Sequence, residues 1–181
     1  MKKIAYAAVA LALGGCVTGS GTVYHIDDPY QFFAYSAAHG GIPVVIVGNP
    51  YPDRRPQVEA ASVAALERNF PSLRGFRPVA AAPGEGTKVV LMFDPPNAPH
   101  ASIVCRDPSS VPSGSGASAA RMTIGAVYCG VGPYSEAWLS FDRPAAPDSP
   151  QFTKMMNQIV SDAVPRRRDP KRDSDSMVPP V

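Results

Sequence analysis

The sequence predicts one α+β domain, a mainly antiparallel or mixed sheet of about five to six strands with two helices on one face. Three observations carry that expectation. Residues 56–70 and 149–164 repeat apolar side chains at helical spacing. Several shorter runs, such as Val89-Val90-Leu91-Met92-Phe93, are continuously apolar and β-favourable. Between them stand 21 prolines and 15 glycines in 181 residues, about a fifth of the chain. That share exceeds the roughly 12% of ordinary proteins and stays below the 25–30% of low-complexity chains.

Each element has a local reason. Residues 16–30 hold Thr18-Gly19-Ser20-Gly21 just after Cys16-Val17 and suit a lipidated start and short tether. The aromatic run at 31–36 is followed by Gly40-Gly41 and Ile42-Pro43-Val44-Val45-Ile46-Val47. Two β-favourable runs around a Gly pair suggest a hairpin. A short helix over 30–38 competes with it. Asn49-Pro50-Tyr51-Pro52 is a turn or extended loop. Over 56–70, Val63, Leu66 and Phe70 share a helical stripe; Pro56 suits the first turn and Pro71 stops it. Residues 87–93 read as a buried strand ended by Asp94-Pro95-Pro96, and 101–105 as a short strand. Residues 108–119 are a Ser/Gly/Pro loop. Strands at 121–129 and 136–141 join through Gly130-Val131-Gly132-Pro133. Ser149-Pro150 forms an N-cap and first turn. The helix after it aligns Phe152, Met155, Met156, Ile159, Val160 and Val164, and Pro165 ends it. The domain is thus expected over 31–164, with a disordered polar, basic tail at 165–181.

The first residues carry an address. Met1-Lys2-Lys3 is positive, the ten residues 4–13 carry no charge, and Leu13-Gly14-Gly15-Cys16 follows. This order reads as a signal peptide over 1–15. Its apolar run is too short to span a bilayer, which takes about 20 residues. Leu13-Gly14-Gly15-Cys16 resembles the lipobox of bacterial lipoproteins. The resemblance implies cleavage before Cys16, a diacylglycerol on its thiol and an acyl chain on its new amino group. It also implies a cell-envelope location with the membrane as partner through those acyl chains. Val17 in place of Asp favours the periplasmic face of the outer membrane, the inner membrane being the alternative. The rest of the chain resembles uncharacterised domains of alphaproteobacterial lipoproteins at Gly48-Asn49-Pro50 and Phe93-Asp94-Pro95-Pro96, which implies no particular activity.

Cleavage alters the charge. The chain holds 17 Lys and Arg against 15 Asp and Glu, with a pI near 8.5. Without Lys2 and Lys3 the two signs balance. The tail carries Arg166, Arg167, Arg168, Lys171 and Arg172 against Asp169, Asp173 and Asp175, leaving the domain slightly negative. No broad positive field draws nucleic acid to the domain. The tail reads as a solvated extension, with contact to anionic headgroups or wall-linked acids as the sharper alternative.

Besides Cys16 the chain has Cys105 and Cys129. An even pair in an exported domain reads as a disulfide. Motifs for chemistry are scarce. His25, His39 and His100 lack structural zinc spacing. No Gly-x-Ser-x-Gly, Ser-x-x-Lys or His-Glu-x-x-His occurs. Gly114-Ser115-Gly116 lacks the following Lys and helix start of a phosphate loop. No catalytic residue, metal ligand or cofactor is therefore assigned. Asn49, Asp94, Asp107 and Asp142 each stand at or near a Pro after a strand-like run, as stop signals. The sharper alternative is a carboxylate ring at one sheet edge. The sequence thus points to a non-catalytic envelope module that binds a protein or a peptidoglycan component, through Tyr30, Phe32, Tyr35 and Tyr51. The alternative is a periplasmic hydrolase drawing on Asp94, Asp142 and the histidines.

Overall fold

The computed structural model describes residues 18–23, 29–114 and 119–163. The stretches read as signal peptide and tail, with Cys16 and His25, lie outside them. Six strands form one mixed sheet: β1 (Thr18–Val23), β2 (Ile42–Val47), β3 (Phe76–Val79), β4 (Lys88–Phe93), β5 (Arg121–Cys129) and β6 (Pro133–Asp142). Their order across the sheet is β1-β6-β5-β4-β2-β3. β2 pairs parallel with β3 and β4, while β4-β5, β5-β6 and β6-β1 are antiparallel. The expected α+β class is therefore observed, with four α-helices among the described residues: α1 (Pro29–Ala38), α2 (Arg55–Asn69), α3 (Ala101–Arg106) and α4 (Pro150–Ala163).

Alternation along the strands splits the core into two layers. One face carries Val44, Ile46, Val89, Leu91, Ile124, Tyr128 and Leu139 under α1, α2 and α4. The expected pair of helices on one face is thus α2 and α4, which pack on each other there. The other face carries Val45, Val47, Val90, Met92 and Val127 under α3, Val111 and the half-buried Trp138. Trp138 lies flat over its register partner Gly125, where a Cβ would stand 2.4 Å from the indole ring. Only Gly leaves room for that ring.

One open choice is decided and two expectations are corrected. Residues 29–38 form helix α1, so of the two readings left open there the helix holds and the hairpin does not; Phe33 packs on Tyr128 and Tyr134, with ring centroids at 5.3 and 6.2 Å. Residues 101–106 form helix α3, not a strand: Ala101, Val104 and Cys105 turn inward at spacings of three and four. The span read as a tether contributes β1, an edge strand paired along its length with β6. β3 is an addition; four residues with Pro78 at an edge give no strand signal.

Candidate functional site

The strand directions bring three of the four Asx-Pro stop signals to one end of the sheet. β2, β4 and β6 run the same way, so Asn49 and Asp94 follow upper ends and Asp142 is the last residue of one. Asn49 Oδ1 accepts from the Tyr51 backbone N–H at 3.3 Å, and its amide donates to Pro52 O at 3.0 Å. This is a side-chain-stabilised turn. It starts at Gly48, whose φ is +80° and whose missing Cβ would meet Phe93 O at 2.4 Å.

Asp94 takes a left-handed backbone with φ of +47°. Asp tolerates that region better than most residues. Its backbone N–H donates to Thr123 O at 2.8 Å and its Oδ1 accepts from Thr123 N–H at 2.9 Å. Its Oδ2 pairs with Arg143 Nη2 at 2.6 Å, both side chains being only 11–12% exposed. Arg143 also donates to Ala119 O at 2.7 Å and to Arg121 O at 3.3 Å. Beside it the Tyr51 hydroxyl donates to Pro144 O at 2.6 Å, and its ring packs edge-on against Phe152. Burial pushes the Tyr51 pKa up to about 12, Arg143 opposing the rise and Asp94 adding to it. Tyr51 is thus a neutral hydroxyl at any physiological pH. Arg55 holds the end of β2, donating to Ile46 O at 2.9 Å and pairing with Glu59 at 2.8 Å.

Asp94, Tyr51 and Arg55 are each bonded to backbone that closes the upper end. Asp94 is ion-paired and bonded to a neighbouring strand, which fits a clamp. Asp142 is exposed and paired at 3.6 Å with exposed Arg121. Asp107 caps the 3-10 turn Pro108–Ser110 after α3, accepting from Ser109 N–H at 3.0 Å. The four residues therefore form no carboxylate ring. Among the described residues no group of three His, Cys, Asp or Glu could hold a metal ion. His39 stacks on Tyr35 with centroids 4.0 Å apart, and His100 Nδ1 lies 3.2 Å from Ser102 Oγ. Sequence reasoning missed Arg143 and Arg55. The signal for Arg143 was its place between Asp142 and Pro144.

The expected aromatic surface divides. Phe32 and Tyr35 lie on α1 at the lower end, 47% and 66% exposed. Phe32 rests on Tyr134 at 5.8 Å. Val131, in the β5–β6 turn near Tyr134, is 86% exposed. Tyr51 follows β2 at the upper end and is half-buried, so it belongs to the clamp instead. The side chain of Tyr30 lies outside the described residues.

Cys105 and Cys129 form the expected disulfide, with Cα atoms 5.4 Å apart. It joins α3 to β5 rather than two neighbouring strands. Close by, Lys88 is largely buried and donates to Gly84 O. Burial lowers its pKa, against upward pulls from Asp107 and Glu85. Among the described residues no helix is long and apolar enough to cross a membrane. In comparisons with protein-family models, curated proteins and solved structures, the chain matches none.

Proposed function

We propose that the chain is a lipid-anchored envelope protein whose domain serves as a non-catalytic binding or structural module. The observation that carries this reading is Leu13-Gly14-Gly15-Cys16, set behind two lysines and an uncharged apolar run. Three acyl chains on Cys16 would hold the protein firmly, since each buried CH₂ contributes about 0.8 kcal/mol and two chains already suffice for stable anchoring. The Cys105–Cys129 disulfide supports an oxidising compartment such as the periplasm. The clamp around Asp94 supports the non-catalytic part of the reading. The outer membrane's periplasmic face is the proposed location, from Val17. Exposed Phe32 and Tyr35 are the proposed contact for an envelope protein or peptidoglycan component.

The test is mass spectrometry of the N-terminal peptide from cells that make the protein. The expected species begins at Cys16 and carries the mass of a diacylglycerol and an N-acyl chain. A peptide beginning at Met1, or an unmodified Cys16, contradicts the proposal.

A further inference from the structure

We infer, building on that proposal, that the anchor holds one corner of the sheet against the bilayer and turns the diagonally opposite corner away from it. Cys16 and Thr18 are two residues apart. Their Cα atoms can therefore be separated by at most about 7 Å, because each trans peptide spans about 3.8 Å. Thr18 is already the first residue of β1 and is in register with Ser140 of β6. Ser140 is in register with Thr123 of β5, and Asp142 with Arg121. An acylated Cys16 thus leaves no free tether between lipid and fold. The upper corner formed by the start of β1, the end of β6 and the start of β5 is the part of the domain nearest the headgroups.

The same register locates the farthest corner. β1 and β3 are opposite edges of the sheet, five strand spacings apart. At 4.7–4.9 Å per spacing this is about 24 Å. Ile42 and Phe76 are register partners at the lower end of β2 and β3. They lie about seven residues, or roughly 23 Å, below the level of Thr18. The diagonal is therefore roughly 30 Å. At that far corner Arg77 donates to Gly40 O at 3.1 Å, next to His39 and the Tyr35 ring it stacks on. Pivoting about Cys16 tips the domain but keeps this corner farthest from the anchor. The near corner carries no excess charge, since Arg121 faces Asp142 at 3.6 Å. The short covalent reach, and not attraction to headgroups, therefore sets which corner is held at the membrane, so that placement is insensitive to salt.

The experiment uses acylated protein extracted from its own membranes and placed in nanodiscs with a gadolinium-chelating headgroup lipid. Mass spectrometry of Cys16 comes first. Amide NMR then reads the paramagnetic broadening of each residue. With about 30 Å between the corners, broadening at Arg121 and Asp142 is expected to exceed that at Gly40, Gly41 and Arg77 by about tenfold or more. A variant with a long Gly/Ser insert between Val17 and Thr18 should stay acylated and lose most of that contrast. An unacylated Cys16 overturns this inference together with the proposal beneath it. An acylated Cys16 with equal broadening at both corners overturns the orientation alone. A contrast that survives the insert does the same.

Discussion

The two faces of the sheet are covered by different means. One lies beneath α1, α2 and α4, with Phe152, Met156, Ile159 and Leu66 fully buried against the strands. The other lies beneath a six-residue helix, the turn Pro108–Ser110 and Val111. The helix-rich face buries the larger set of apolar side chains. The thin face buries less, and it is the face that carries the Cys105–Cys129 bond. The lesson concerns economy in a small domain: a covalent link stands where the second core layer is too thin to hold its cover.

Neighbouring residues of β4 test this contrast most sharply. Leu91 and Met92 are both fully buried, Leu91 on the helix-rich face and Met92 on the thin one. Leu91→Ala should cost about 4 kcal/mol and Met92→Ala about 2, because a thinly covered site collapses more easily around a lost side chain. Urea unfolding of both variants measures this, and equal losses would break the contrast. Next in size is the disulfide itself. Replacing both Cys105 and Cys129 by Ala should cost about 3 kcal/mol, mainly through the freed unfolded chain. Thermal unfolding under non-reducing conditions reads it out.

The helix caps should differ in the same direction by less. Ser149 Oγ accepts from Phe152 N–H at 3.2 Å and begins α4. Ser149→Ala should cost about 1 kcal/mol. Asp107 caps only a single exposed turn on the thin face. Asp107→Ala should cost a few tenths of a kcal/mol, roughly the weak end of capping effects. A further effect appears only in alkali. The folded Tyr51 pKa is raised from 10.0 to about 12, so the folded state keeps this proton longer than the unfolded chain. Its contribution is full below pH 10 and is lost as pH rises toward 12. Tyr51→Phe should make the stability profile shallower across that window.

Much of the helix-rich face was legible in the sequence. α2 and α4 declare themselves by apolar residues at helical spacing between prolines, and β4 by five consecutive apolar residues. The thin face was hardly legible. Ala101-Ser102-Ile103-Val104-Cys105 is short and β-favourable, and it becomes a helix only because it must cover Val90 and Met92 from outside. β1 is Gly- and Ser-rich and fully at the edge, so no alternation marks it. The stop signals Asn49-Pro50 and Asp94-Pro95 were readable, but the pairing of Asp94 with Arg143 was not. That pairing depends on β4 and β6 sharing a direction, which strand patterns do not encode.

The most direct test of the two-face account is native-state hydrogen exchange with and without reductant. Reduction should raise amide exchange across α3 and the Pro108–Ser110 turn while β4, β5 and α4 keep their protection. Loss of protection in α4 together with α3, at the same reductant concentration, would contradict the account.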